Sequence, residues 1–360
     1  MISNKQITVR TLASGAGLPI RVYTVKGRNP AAKSAYIQSS MHGSEVQGNA
    51  VIAQLLELFA VSPPEGDVVL VPNANPYGIN QKSGEYTPGR FDPTTGDNWN
   101  RAYFLPELAP GKMLPWPQLS SRYRAALGGA VRRELRGNIP FARKLALTLQ
   151  SLALAADYVL DLHCANISAR HLYTPEYAQD CARYLNIPLI LSIPDAFGGA
   201  LDEAHSCAWW RLWKSLRAAG YSELPAPGEL PQGFTLELGN QERISRAEAE
   251  RDAAGIVNFL RYKGVVAGRA TPPSRSYICP LSCYKVIYSS HAGHVDFAPV
   301  LGKQVKRGDL LAQTLQFGAG PQWQPTVAEE DCIPILHYSS AVVHEGDELI
   351  KVFTRYRAVR

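Results

Sequence analysis

The segment Ser34-Ala35-Tyr36-Ile37-Gln38 is typical of a buried β-strand, and Met41-His42-Gly43-Ser44-Glu45 follows it almost directly. Over residues 44–60 apolar residues recur at helical spacing, which predicts an amphipathic helix. A strand, a short turn and a helix in this order predict one unit of an α/β fold. The imidazole of His42 and the carboxylate of Glu45 lie just beyond the predicted strand, where ligands of α/β sheets bind.

The same alternation of strand and helix signals continues from residue 30 to about residue 265. Predicted strands cover residues 67–71, 158–162, 188–191 and 234–238, and further predicted helices cover residues 141–157 and 245–262. We therefore predict an α/β fold with a mixed, mostly parallel sheet flanked by helices. Residues 105–140 are rich in Pro, Gly and Arg and are predicted to form an excursion between sheet elements.

The pattern changes after residue 265. The segment Ala270-Thr271-Pro272-Pro273-Ser274 is typical of a linker, and short strands with Gly/Asp turns follow. Two turn signals, Lys306-Arg307-Gly308-Asp309 and Glu345-Gly346-Asp347, each precede an apolar strand. We predict a catalytic domain over residues 1–265 and a small all-β domain over residues 276–360.

The composition excludes several classes of protein. Charged residues make up 19% of the 360 residues, and the net charge of +6 is spread along the chain without a basic run, which argues against nucleic acid binding. No apolar run approaches the ~18 residues that span a bilayer, and residues 1–30 lack the apolar core of a signal peptide. We predict a cytoplasmic protein with no membrane partner. The six cysteines are scattered along the chain, so no disulfide framework is predicted. The sequence is compatible with a homo-oligomer but does not determine the oligomeric state.

A second histidine completes a metal-ligand set. His163 ends the predicted strand Asp161-Leu162-His163, and with His42 and Glu45 it gives two imidazoles and one carboxylate. A catalytic zinc ion takes three such ligands and keeps a fourth position open for water. Glu237, near the end of another predicted strand, is a candidate base for that water, and Asp161 is a candidate partner that orients His163.

The individual residues also have ordinary structural interpretations. His42 and Glu45 alone are compatible with a turn histidine beside a surface glutamate, and Glu237 with a buried structural carboxylate. Burying a carboxylate in the apolar strand around Glu237 is costly unless it has a function. The three ligands and the candidate base together predict a hydrolase with one Zn²⁺ ion.

The chain is similar to the succinylglutamate desuccinylase/aspartoacylase family of the zinc carboxypeptidase clan over most of its length. The zinc motif of that family, H-G-x-E followed by a distant D-L-H, matches His42, Glu45 and His163. Its catalytic E-x-G motif matches Glu237-Leu238-Gly239. The intervening pattern N-P, R-x-x-P and N-R matches Asn75-Pro76, Arg90-Phe91-Asp92-Pro93 and Asn100-Arg101. The turn-rich C-terminal region also resembles the β-domain of family members.

The resemblance implies a zinc-dependent deacylase that hydrolyses the amide bond of an N-acyl amino acid or a similar small molecule. Glu237 would then move a proton from water to the leaving amine, and zinc with Arg90 would stabilise the oxyanion. Asn100 and Arg101 would hold the substrate carboxylate. Two alternatives remain at this stage: a metallocarboxypeptidase acting on short peptides, and a non-catalytic member of the fold that binds a metal or a ligand.

Overall fold

The computed structural model describes residues 1–109, 111, 113–298 and 300–359. Its strands are β1 Ile2–Thr11, β2 Gly17–Val25, β3 Ala35–Ser39, β4 Val68–Val71, β5 Tyr158–Ala165, β6 Ile167–Ser168, β7 His171–Pro175, β8 Leu189–Ile193, β9 Gln232–Asn240, β10 Ser276–Pro280, β11 Tyr284–Tyr288, β12 Gly293–Phe297, β13 Leu310–Phe317, β14 Pro321–Val327, β15 Ile333–His337, β16 Val342–Val343, β17 Glu348–Phe353 and β18 Arg357–Val359. Its α-helices are α1 Gln47–Val61, α2 Trp116–Leu135, α3 Phe141–Ala153, α4 Gln179–Ala182, α5 Leu201–Ala218 and α6 Arg246–Tyr262. Short 3-10 helices lie at Gly78–Asn80, Trp99–Arg101, Glu176–Ala178, Arg183–Leu185, Pro227–Glu229 and Leu281–Cys283.

A ten-stranded mixed sheet forms the centre of the molecule, in the order β1-β2-β4-β3-β5-β9-β7-β8-β10-β18. Strands β4, β3, β5 and β9 run parallel to one another at its middle. Helices α1 and α6 pack on one face, and α3 and the start of α5 pack on the other. This architecture confirms the predicted α/β fold. None of the helices in the described ranges is long and apolar enough to cross a membrane.

The element boundaries differ from the sequence prediction at the first helix. Helix α1 begins at Gln47 rather than at residue 44, because residues 42–45 form a turn in which the Glu45 N–H donates to the His42 carbonyl at 3.1 Å. This turn leaves both side chains outside the helix, at the carboxyl end of β3. Residues 105–140 also contain more structure than predicted, since α2 packs Leu119, Tyr123 and Leu127 into a helical cluster with α3 and α5.

The C-terminal region contains two four-stranded sheets, in the orders β11-β17-β15-β6 and β14-β13-β12-β16. Both predicted turns are present: the Asp309 carboxylate accepts from the Lys306 N–H at 2.7 Å, and the Asp347 carboxylate accepts from the His344 N–H at 2.8 Å. This confirms the predicted β-structure. The two regions of the chain also share sheets. Strands β10 and β18 of the C-terminal region extend the central sheet, and β6, which precedes that region, pairs with β15.

Candidate metal centre

Two histidines and one glutamate meet at the carboxyl ends of β3 and β5. His42 and Glu45 come from the turn before α1, and His163 comes from β5. All three are buried, with exposed fractions of 3%, 1% and 2%. His42 Nδ1 lies 2.8 Å from Glu45 Oε1, and His163 Nδ1 lies 2.6 Å from Glu45 Oε2. One donor atom from each residue lies within 4.8 Å of the others, so this triad can hold a metal ion.

The outer nitrogens of both histidines face hydrogen-bond acceptors. His42 Nε2 lies 2.8 Å from Asn98 Oδ1, and His163 Nε2 lies 3.0 Å from Asp161 Oδ2. At His42 this acceptor holds the proton at Nε2 and leaves the Nδ1 lone pair free to bind a cation. Both Nδ1 atoms point toward Glu45, so the donor set fits a divalent cation. Two imidazoles and one carboxylate suit zinc in particular.

The Glu45 carboxylate is ionised in spite of its burial. Burial raises its pKa, but His42 and His163 together hold the pKa of Glu45 well below its usual value. The backbone N–H of Cys164 also donates to Glu45 Oε2 at 3.2 Å. Burial would lower the pKa of His163, but Asp161 and Glu45 raise it well above its usual value. The centre therefore concentrates negative charge around two imidazoles, which favours a bound cation.

Glu237 faces the triad from the neighbouring strand. It is the register partner of His163 in the parallel pair β5–β9. Its Oε2 atom is buried and has no hydrogen-bond partner within the described part of the chain. Burial and the nearby Glu45 carboxylate raise the pKa of Glu237 to about 7, against the opposing charges of His163 and Arg90. A carboxylate with a pKa near neutrality can both accept and release a proton.

Arg90 reaches the triad from a loop that three glycines hold close to the turn of residues 42–45. Its guanidinium donates to Glu45 Oε1 at 3.0 Å and is half-exposed. The N–H of Gly43 donates to the Gly89 carbonyl at 2.8 Å. A Cβ on Gly89 would lie 2.2 Å from the Gly78 oxygen and 2.9 Å from the Gly43 Cα. The close backbone approach that places Arg90 therefore requires glycine at these positions.

Asn100 and Arg101, which are predicted to bind the substrate carboxylate, differ in exposure and contacts. Asn100 is buried, and its Nδ2 atom lies 3.2 Å from His163 Nε2. Arg101 is exposed, and its guanidinium donates to the Asn100 carbonyl at 2.7 Å. Asn100 thus lies next to His163, whereas Arg101 lies at the surface.

Two residues near the centre were not identified from the sequence. Asn98 contacts His42 Nε2, and the only local signal was its position two residues before Asn100. Tyr284 belongs to the C-terminal region, and burial raises its pKa well above the usual value, with Tyr173 and Glu237 adding to the effect. Its hydroxyl is buried without a partner among the described residues. Only the packing of β11 against the central sheet brings Tyr284 here, so no sequence pattern predicts it.

Comparison with known proteins identifies related chains. The model of one protein family, the succinylglutamate desuccinylase/aspartoacylase catalytic domain, matches residues 31–263. A search of curated proteins found no match.

Two solved structures are similar over nearly the whole chain, and both are described as succinylglutamate desuccinylase/aspartoacylase proteins. The one from Shewanella frigidimarina NCIMB 400 has 40% identity and a TM-score of 0.94, covering 99% of this chain and 98% of its own. The one from Shewanella amazonensis SB2B has 41% identity and a TM-score of 0.94, covering 99% and 100%. The ectoine utilization protein EutE (DoeB) from Ruegeria pomeroyi, at 16% identity, a TM-score of 0.67 and coverage of 98% and 95%, shares the fold.

Proposed function

The chain belongs to the succinylglutamate desuccinylase/aspartoacylase family, and from this membership we propose that it is a zinc-dependent deacylase acting on the amide bond of an N-acyl amino acid or a similar small molecule. The observation that carries the proposal is the convergence of His42 Nδ1 and His163 Nδ1 on Glu45, with Glu237 opposite His163 on the next strand. These side chains are a candidate metal-ligand set and a candidate proton acceptor on neighbouring strands of the sheet.

His42, Glu45 and His163 would hold the ion. Bound Zn²⁺ supplies Lewis-acid chemistry, because it polarises a carbonyl and lowers the pKa of water toward ~7. Glu237 accepts a proton from the attacking water and delivers it to the leaving nitrogen. Both transfers need a carboxylate whose pKa lies near the working pH. Burial and the charge of the nearby Glu45 carboxylate raise the pKa of Glu237 to about 7.

Two arginines supply positive charge for the substrate. Arg90, held beside Glu45, is placed to stabilise the negative oxygen that develops when water attacks the amide carbon. Arg101 is exposed and has a planar guanidinium that suits bidentate binding of a carboxylate. A free carboxylate next to the amide is the shared feature of N-acyl amino acids and of short peptides, so Arg101 fits both substrate classes.

A substrate panel tests the proposal. Zinc-loaded wild type is assayed with N-acetyl and N-succinyl amino acids and with dipeptides, in parallel with Glu237→Gln. We expect release of the acyl group from N-acyl amino acids, and a loss on the order of 10²–10⁴-fold in Glu237→Gln if it acts as the base. Zn²⁺ binding should be retained in that variant, which shows that its centre is assembled.

Three other results would contradict the proposal at different points. Cleavage of dipeptides alone would identify a metallocarboxypeptidase. Binding of Zn²⁺ and ligand without turnover would identify a binding protein. Full activity of Glu237→Gln would show that another group takes the proton.

A further inference from the structure

A wholly buried glutamine lies behind the metal centre. Gln38, with an exposed fraction of 0%, lies on β3 and is the register partner of Asp161 on β5. Its Nε2 atom donates to Asp161 Oδ1 at 2.9 Å and to the Tyr103 hydroxyl at 3.1 Å. Its Oε1 atom accepts from the Tyr36 hydroxyl at 2.9 Å. Both amide hydrogens and the amide oxygen therefore have partners, as a buried amide requires.

These contacts determine the orientation of the amide. If the oxygen and nitrogen of Gln38 were exchanged, its oxygen would face the Asp161 carboxylate, and two acceptors would repel each other. With the nitrogen toward Asp161, one carboxylate oxygen is held at 2.9 Å by Gln38 and the other lies 3.0 Å from His163 Nε2. Gln38 thus restricts rotation of the carboxylate that faces the outer nitrogen of a metal ligand.

Through Tyr103, Gln38 is also linked to the loop that contacts His42 and His163. Tyr103 follows the Trp99–Arg101 turn by two residues, and its backbone N–H donates to the Gly199 carbonyl at 3.2 Å. In this loop Asn98 contacts His42 Nε2 and Asn100 contacts His163 Nε2. A bond from Gln38 to the Tyr103 hydroxyl therefore connects the sheet to the segment that contacts both histidines.

We propose that Gln38 is a positioning residue of the metal centre, which acts through Asp161 and Tyr103 to hold His163 and the 98–101 turn in place for the cation. Within the described part of the chain, Gln38 makes no hydrogen bond to the three candidate ligands or to Arg90 and Arg101. The inference rests on the proposed zinc site, and it adds a residue that the metal-binding motifs do not contain.

The test is the Zn²⁺ affinity of metal-free protein, measured by competition with a chromophoric chelator. Gln38→Leu removes all three hydrogen bonds, and we expect its affinity to fall on the order of 10-fold, at the lower end of the effect of residues that orient metal ligands. The matched control is Gln232→Leu. Gln232 is also 0% exposed and bonds to Cys181 Sγ and Gly228 O, but it lies at the amino end of β9, opposite the site.

A second variant keeps the shape of the side chain. Gln38→Glu retains the contacts with the tyrosines, but once ionised it has no proton to donate to Asp161 and repels that carboxylate. We expect its affinity deficit relative to wild type to widen with rising pH by more than its loss of thermal stability accounts for, which a purely structural role would not produce. This variant also decides the question if Gln38→Leu does not fold.

The outcomes separate the two proposals. Wild type that binds no Zn²⁺ would overturn the proposed function. Wild-type affinity in folded Gln38→Leu, and in Gln38→Glu at every pH, would overturn the role of Gln38 alone. An equal loss of affinity in Gln232→Leu would also overturn it, because the effect would then reflect general destabilisation.

Discussion

His163 and Glu237 are register partners in the parallel strands β5 and β9. Alternate residues of a strand point to opposite faces of the sheet. Leu162 and Leu236, between the polar positions of these strands, are packed into the hydrophobic core against α1 and α6. A slip of one residue would turn Asp161 and His163 toward the apolar side chains of α1 and α6 and remove Leu162 from that core, so the core that fixes the register also fixes the separation of ligand and base.

Replacing Arg90 tests its contribution to the reaction. We expect Arg90→Gln to lower kcat on the order of 10²–10³-fold, which is typical for loss of one group that stabilises an oxyanion. Arg90→Lys should retain part of the activity because it keeps the positive charge. Steady-state kinetics on the preferred substrate measure both variants. A raised KM with unchanged kcat would instead assign Arg90 to substrate binding.

Gly89→Ala should displace the loop that carries Arg90. Because the new Cβ would lie 2.2 Å from the Gly78 oxygen, the backbone must move, and we expect lower kcat together with lower thermal stability. Gly228→Ala is the control, since no atom lies within 4 Å of a Cβ at that position. If Gly89→Ala and Gly228→Ala have the same kinetics and the same unfolding temperature, the close approach does not position Arg90.

Zinc binding should be visible as stabilisation of the folded state. At a free Zn²⁺ concentration 100 times Kd, the free energy of unfolding should rise by about 2.7 kcal/mol. Thermal unfolding with and without Zn²⁺ measures this, and Glu45→Gln should show little shift because it lacks the anionic ligand. A shift of equal size with Mg²⁺ would argue against an imidazole site, since Mg²⁺ prefers oxygen ligands.

The buried His205 on α5 should make stability depend on pH. Burial, with the nearby Arg124, lowers the pKa of His205 to about 4, whereas an unfolded chain has a histidine pKa of about 6.5. Between these values the unfolded state binds more protons, so stability falls as the pH drops from about 6.5 to about 4, by up to about 3 kcal/mol. Denaturant unfolding of wild type and His205→Gln at pH 7 and pH 4.5 measures the contribution. An equal pH dependence in both proteins would contradict it.

The parts of the centre that a sequence can reveal are those with local patterns. His42 and Glu45 lie in a turn between a strand and a helix, and His163 ends a run of apolar residues, so strand ends could be assigned from alternating elements. The sequence could not predict that Glu237 lies beside His163, because this register depends on β5 and β9 being neighbours in the sheet.

The remaining parts depend on long-range packing. Gln38 was part of a predicted strand, but nothing in its neighbourhood indicates Asp161 or Tyr103 as partners, 123 and 65 residues away. Helix α2 was missed although Leu119, Tyr123 and Leu127 recur every four residues, because Gly128, Gly129 and nearby prolines weighed against a helix. The hairpin β1–β2 was also missed, because β1 is mostly polar and exposed and gives no strand signal of its own, although β2 alternates buried Ile20 and Val22 with exposed Arg21.

The pairing of β10 with β8 has a consequence for the integrity of the molecule. Every residue of β8 is buried, and beyond it the sheet is continued only by β10 and β18 among the described strands. A shortened polypeptide ending at residue 265 would leave the backbone N–H and C=O groups of β8 unpaired on an edge strand with apolar side chains. Such an edge promotes self-association. Strand β10 therefore satisfies the main-chain groups of β8 and keeps this buried strand from pairing with a strand of another molecule.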